Sequence, residues 1–390
     1  MNILYYIPDI NQQMGGLRQY AVALLKILLK DKENKYFIYH EINDPEIMNV
    51  LAKNPHHVLI KRDKWEFDKI RVKRKVTAKT GISLEINDNK FIDKICSKFK
   101  IGIVHCPYQY LPETKIPKLI CTMHDVQELH FPEYFTAESR AERAVKYLKY
   151  IRGADKIIVS YTHVKQDIIK YFNTPANIIT VCLLEMDNLW IDKYTDKDII
   201  SLRPLGIDGD FVIYPANTWQ HKNHIKLLEA LAILKQQSYN NIKLVCTGHK
   251  TPYFDDCLQP FIEQNNLENQ VIFPGVLDEV TLYSLYKTCL GVVVPTIYEA
   301  GSFPVMEAIL LNVPVICSNV TSLPETIGDD SFIFDPLNAQ DIANKLLKLW
   351  GDDEYRQRSI ANGSKQAGRL RNTDALNVIK SVYSELATTN

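Results

Sequence analysis

Tyr298-Glu299-Ala300-Gly301-Ser302-Phe303-Pro304-Val305-Met306-Glu307-Ala308 is the stretch on which the reading of this chain turns. Glu299 and Glu307 stand eight positions apart across a loop of small residues that runs into a helical pattern. Pro304 suits the first helical turn, where no backbone N–H is needed, and Ser302 is placed to cap it. Such a turn presents amide donors and the positive end of a helix dipole, a combination that holds a phosphate group. The two carboxylates are acceptors, and beside a diphosphate they suit the hydroxyls of a ribose and of a sugar. A sugar nucleotide is the ligand that needs all three features.

On either side of this stretch, strand-like runs alternate with helical patterns, which argues for parallel α/β layers. Strands are expected over Asn2–Ile7, Tyr36–Tyr39, Ile101–His105, Leu119–Met123 and Lys156–Ser160. The series restarts at Phe211–Tyr214 and continues through Lys243–Thr247, Val271–Phe273, Gly291–Val294 and Val315–Cys317. Between the two series, Asp192 to Asp210 is charged and aperiodic, and the linker is expected there. A loop with Gly15-Gly16 leads into a helix expected from about Leu17 to Lys30. A chain of 390 residues is long for one core, so two domains are the natural division.

Glu-x7-Glu followed by Ala308-Ile309-Leu310-Leu311-Asn312-Val313-Pro314-Val315-Ile316 resembles the donor-site segment of retaining GT-B glycosyltransferases of family GT4. The usual pattern is close to Y-E-G-F-G-L-P-V-x-E-A-x-x-x-G-x-P-V. This chain departs from it at Ala300, Gly301 and Ser302, and at Asn312, where glycine is usual. Asparagine also tolerates the left-handed conformation that stops a helix, so Asn312 keeps the backbone requirement. The resemblance implies two Rossmann-like parallel-sheet domains facing a central cleft, residues 1–195 on the acceptor side and 205–370 on the donor side. It also implies that the C-terminal helix, within 373–390, crosses back onto the first domain.

Further segments extend the resemblance. Ile213-Tyr214-Pro215-Ala216-Asn217-Thr218-Trp219-Gln220-His221-Lys222-Asn223 is similar to the family segment ending in R-K-N, whose basic residues hold the donor diphosphate. Lys222 matches the family lysine, and its ammonium would neutralise charge on the leaving nucleotide. His221 stands where arginine is common, and Asn217 shares the loop. Thr122-Met123-His124-Asp125-Val126, with Pro132-Glu133-Tyr134 beyond, is similar to the T-x-H-D-x…P-E-Y segment, which implies that His124 meets the donor sugar. Gly15 and Gly16 match the glycine loop near the nucleotide phosphates, and glycine permits close backbone approach. Cys106-Pro107-Tyr108-Gln109-Tyr110-Leu111-Pro112 resembles the acceptor-side loop, where Tyr108 and Tyr110 could stack on a sugar or simply pack in the core.

The resemblance therefore implies a retaining, metal-independent sugar transferase. Glu299, His124 and Lys222 would be catalytic. Gly15, Gly16, Asn217, His221, Gly301, Ser302, Phe303, Pro304 and Glu307 would complete the donor site. GDP-mannose is the favoured donor and a UDP-hexose the alternative, and no cofactor is expected. The acceptor would be a glycan or lipid-linked glycan of a bacterial surface polysaccharide. A nucleotide-sugar epimerase of related shape and a non-catalytic glycan-binding relative stay open.

Composition limits other classes. A hydrophobic content of 46% with 24% charged residues is that of a globular enzyme, and zero formal net charge provides no global field for nucleic acid. The 8 cysteines include no C-x-x-C pair, so buried, reduced thiols and a cytoplasmic setting are expected. The basic run Lys61–Lys79 could meet an anionic membrane surface on its inner face, or form a solvated face. Asp208-Gly209-Asp210 precedes a strand and reads as a turn. Ser322-Leu323-Pro324-Glu325 reads as a local capping box. No G-x-G-x-x-G follows the first strand and no Walker sequence is present, which argues against dinucleotide-cofactor and P-loop readings.

Overall fold

Alternate residues of one strand feed two separate cores. The computed structural model describes residues 1–11, 14–61, 88–114, 117–186 and 189–388. In its first strand, β1 (Asn2–Tyr6), Ile3 and Tyr5 enter one apolar cluster while Leu4 and Tyr6 enter another. That is the two-residue period of an extended chain buried on both faces, and it requires a layer of helices on each side.

The chain divides into two compact units, Met1–Leu184 with Asp374–Asn390, and Glu185–Thr373. In the first unit β1 joins β2 (Lys35–Tyr39), β3 (His57–Ile60), β4 (Ile103–Cys106), β5 (Lys118–Thr122), β6 (Lys156–Val159) and β7 (Ile179–Val181). All pairings are parallel, in the order β3-β2-β1-β4-β5-β6-β7. The second unit holds β8 (Val212–Pro215), β9 (Leu244–Thr247), β10 (Val271–Gly275), β11 (Gly291–Val294), β12 (Val315–Ser318) and β13 (Ile333–Phe334). They are again parallel, ordered β10-β9-β8-β11-β12-β13. Every strand expected from the sequence is present. Three that were not expected, β3, β7 and β13, are sheet edges.

The helix expected from Leu17 begins two residues earlier and spans Gly15–Leu28, so Gly15 and Gly16 lie in its first turn rather than in the loop before it. The tail helix Ala375–Thr388 belongs to the first unit. Its buried stripe of Ala375, Ile379, Val382, Tyr383 and Leu386 enters the same cluster as Ile3 and Tyr5. Tyr383 also hydrogen-bonds Nδ1 of the buried His105 at 2.7 Å.

Asp192–Asp210, where the linker was expected, lies inside the second unit, and the chain leaves the first unit at Leu184. The stretch folds as short turns over Trp190–Lys193, Asp196–Asp198 and Arg203–Leu205. Buried Leu202 and Ile207 anchor it. These anchors are too sparse to make a period, which is why the sequence read as a linker. The basic run Lys61–Lys79 falls, beyond Lys61, outside the described residues. None of the 8 cysteines is in a disulfide, and six of them are buried. No helix among the described residues is long and apolar enough to cross a membrane.

In each sheet the strand order reverses direction once, between β1 and β4 and between β8 and β11. Loops leaving the carboxyl ends of such a strand pair diverge and leave a crevice, the usual ligand site of an open parallel sheet. The loop after β8 carries Asn217–Asn223, and the loop after β11 carries Glu299–Ser302. The residues singled out in the second half therefore flank the switch point of its sheet.

Candidate active site

The loop after β8 owes its shape to Asn223. This residue adopts φ 59°, ψ 34°, a left-handed conformation that asparagine tolerates better than other residues with a Cβ. Its side-chain amide donates to the carbonyls of Pro295 and Pro336, both at 2.8 Å. The carbonyl of His221 accepts from Ile297 N–H and from the Thr296 hydroxyl, each at 2.9 Å. The Tyr214 hydroxyl donates to the carbonyl of Lys222 at 2.9 Å. Together these bonds pin the β8 loop against the β11 loop.

The pinning sets the site's central contact. Lys222 Nζ lies 2.6 Å from Glu299 Oε2, and both side chains are largely shielded from water. Asn223→Ala should lower stability by about 1–3 kcal/mol through the two unsatisfied carbonyls. Because Ala resists the left-handed conformation, it should do worse than Asn223→Gly by about 1–2 kcal/mol. Denaturant unfolding checks this, and equal midpoints for the two variants would remove the conformational argument.

Two residues of the loop after β12 hold Glu299 by its backbone. Its N–H donates to Thr321 Oγ1 at 3.2 Å, and its carbonyl accepts from the Ser322 hydroxyl at 3.1 Å. Thr321 has φ 50°, unusual for a β-branched residue and costing about 1–3 kcal/mol. The local capping box expected at Ser322 does not form. Ser322 is helical in backbone conformation, and its hydroxyl reaches across to the β11 loop instead.

The expected cap by Ser302 is absent as well. Ser302 precedes the helix Phe303–Leu310, with Pro304 in the first turn, but caps no backbone N–H. Its hydroxyl is completely buried and has no hydrogen-bond partner. A buried hydroxyl without a partner costs free energy, so Ser302 is held here against its capping preference by the packing around it. Gly301, Phe303 and Pro304 around it are half-buried. Asn312, at φ 56°, ends the helix in the left-handed conformation expected of it.

Glu307 is 8% exposed and lies within this helix rather than on its rim. Its Oε1 accepts from Trp190 Nε1 at 2.6 Å and its Oε2 from the Tyr286 hydroxyl at 2.7 Å. Burial raises its pKa above the ordinary carboxylate value, and the two donors partly oppose that rise. Each oxygen retains a second lone pair, so the carboxylate can still take hydroxyl donors.

His221 is held neutral, its pKa pushed down to about 4, first by burial and then by the Lys222 charge. Asn217 is exposed and accepts the His249 N–H at 2.7 Å, tying the β8 loop to the loop after β9. That loop approaches closely. A Cβ on Gly248 would lie 2.7 Å from the Ala216 backbone, so only glycine fits there.

In the first unit, His124 follows β5, with Nε2 3.0 Å from the Pro107 carbonyl and Tyr20 edge-on at 4.6 Å. Its pKa is pushed down to about 4 by burial, which the Pro107 contact partly opposes. A carbonyl only accepts, so the proton sits on Nε2 and Nδ1 is an acceptor. Gly16 opens onto space, with nothing within 4 Å of a built Cβ. Tyr110 stacks on Tyr6 at 5.4 Å and Tyr108 leans on Tyr110 at 6.0 Å, so at least one face of the Tyr110 ring is already covered.

The structure thus brings Lys222, Glu299, Ser302 and Glu307 into one loop-and-helix system around the β8–β11 switch point. His124, Gly15, Gly16, Tyr108 and Tyr110 belong to the first unit. Reading the sequence missed Gly248, Thr321, Trp190 and Tyr286, and gave Ser322 only a local capping role. Gly248 carried a signal, a glycine directly after a strand. The others act through contacts distant in the chain.

Residues 203–366, which contain this whole arrangement except Trp190, match the model of the glycosyl transferases group 1. Over that span the chain is similar to that family. The chain is 29% identical over 272 residues to O-antigen chain mannosyltransferase B of Escherichia coli, a match covering 69% of this chain and 70% of that one. It is 24% identical over 265 residues to the serotype-specific mannosyltransferase WbdA of Escherichia coli, covering 67% of this chain but 32% of that longer protein. A crystal structure of a glycosyltransferase from Rickettsia africae ESF-5 matches with a TM-score of 0.70 at 17% identity, covering 100% of this chain and 99% of that one. That likeness concerns the fold, two Rossmann-like parallel-sheet domains of the GT-B class.

Proposed function

We propose that this glycosyltransferase transfers a hexose, mannose first, from a nucleotide diphosphate to a hydroxyl of a glycan or lipid-linked glycan, with retention of configuration. The product would be a bacterial surface polysaccharide. The observation that carries the reading is the Lys222–Glu299 ion pair beside the head of the Phe303–Leu310 helix, at the switch point of the second sheet. An anionic phosphate suits that ammonium and the positive end of the helix dipole together. Mannose is favoured because the two relatives above carry mannosyltransferase in their names.

In this reading Ser302 and the helix N-terminus hold the diphosphate, Glu299 accepts from sugar hydroxyls, and Glu307 accepts from the ribose. The bond from the anomeric carbon to the phosphate oxygen breaks as the bond to the acceptor oxygen forms on the same face. The acceptor proton passes to a donor phosphate oxygen, and Lys222 stabilises the charge on the departing nucleoside diphosphate. No metal takes part.

A panel of nucleotide sugars, followed by thermal unfolding and by NMR of the product, tests this. The true donor should raise the melting temperature most, because it binds only the native state. GDP-mannose is expected to do so and to yield a product with the donor's anomeric configuration, in the presence of a chelator. Greater stabilisation by a UDP-hexose would refute mannose, and an inverted product would refute retention. An epimerised free sugar without an acceptor would replace transfer by epimerisation.

A further inference from the structure

Carboxylates that bind diols need fixed orientation, because two hydroxyls must meet defined lone pairs at once. Glu307 has that fixation from an unexpected direction. Trp190 lies 117 residues away in sequence, in a short turn a few positions after the chain enters the second unit. The turn is anchored on both sides. Asp192 accepts from Leu189 N–H and from Arg371 Nη2, each at 2.9 Å, and Ile191 is buried. The Trp190 ring leans on Tyr286 at 6.4 Å and on Tyr194 at 6.4 Å. Its indole N–H is therefore delivered to Oε1 by a supported ring, while Tyr286 delivers its hydroxyl to Oε2.

A carboxylate has about four acceptor positions, and these two donors take one on each oxygen. The remaining position on each oxygen is the one a vicinal diol would take. We infer that Trp190 is a positioning residue for ribose recognition, its indole N–H orienting Glu307 so that the unused lone pairs of both oxygens meet the 2′- and 3′-hydroxyls of a nucleoside diphosphate. The inference rests on the reading of Glu307 as the ribose ligand. Trp190 also favours the charged form of the buried carboxylate, since a donor to that form opposes the desolvation that burial imposes. Removing the donor leaves a carboxyl that protonates more readily and accepts less well.

The test compares GDP with 2′,3′-dideoxy-GDP, and UDP with its dideoxy analogue, by calorimetry on the full chain. Trp190→Phe keeps the ring but removes the N–H. It should weaken the ribonucleotide about tenfold, the scale of one hydrogen bond to a charged group, and leave the dideoxy analogue unchanged. The weakening should also set in at a higher pH than in the parent, because Glu307 takes up its proton sooner. Tyr286→Phe removes the donor to the other oxygen and should repeat the pattern if Trp190→Phe folds poorly. Glu307→Gln separates the two readings. If it leaves ribonucleotide binding unchanged, Glu307 is not the ribose ligand and the inference falls with it. If Glu307→Gln weakens binding but both aromatic variants do not, or if they weaken both analogues equally, Glu307 stands and the positioning role is overturned.

Discussion

Lys222→Ala should lower kcat by about 10²–10³-fold, the scale for deleting one preorganised group that stabilises transition-state charge. The donor KM should change far less, because negative charge on the leaving diphosphate is greatest while the glycosidic bond is breaking. The geometry explains why lysine serves here without an arginine beside it. Glu299 holds the ammonium 2.6 Å away, in a loop clamped by Asn223, Tyr214 and Ser322. His221, the neighbour that could have carried a second charge, is kept neutral by burial. The site's positive charge in this loop is thus a single preorganised ammonium. Steady-state kinetics on the purified variant decide the matter. A kcat within threefold of the parent would mean that Lys222 serves only to support Glu299.

Replacing Glu307 should separate binding from stability. Glu307→Ala is expected to weaken donor binding by about 1.5–3 kcal/mol, the scale for hydrogen bonds to a charged acceptor. It should also destabilise the fold, since the Trp190 and Tyr286 donors lose their partner. Glu307→Gln is the more telling variant, because an amide oxygen still receives one of those donors. The folded state raises the pKa of this carboxyl above its unfolded value. The folded protein therefore holds the proton to higher pH than the unfolded chain does. This group's contribution is greatest below the ordinary carboxylate pKa and falls as pH rises through the raised value. Above that raised value the parent bears the desolvation cost of the charge, whereas the Gln variant does not. Its melting temperature should match or exceed the parent's at pH 7 while donor affinity falls. Loss of both together would make Glu307 a structural residue.

The interior strands could be read from the sequence because both of their faces are buried. In β1, β8 and β11 that burial demands continuous apolar runs, which local reading detects. The edge strands β3, β7 and β13 bury less and carry weaker patterns, and they passed unnoticed. Helix ends showed the same divide. Asn312 ends its helix as its residue type suggests, because a left-handed conformation is a local demand. Ser302 and Ser322 both have residue types that favour capping, yet neither caps. Their hydroxyls answer to the fold around them, one left without a partner and the other drawn to Glu299.

By itself the sequence determined the parallel α/β alternation, the two-part series of strands, and the loops on which Lys222, Glu299 and Glu307 sit. Each of these rests on residue type and short-range period. Only the tertiary structure decided the partners. Lys222 meets Glu299 across 77 positions, and Trp190 meets Glu307 across 117. Such meetings depend on strand order at the switch point, and strand order is set by how whole layers bury their surfaces, which no local window of residues contains.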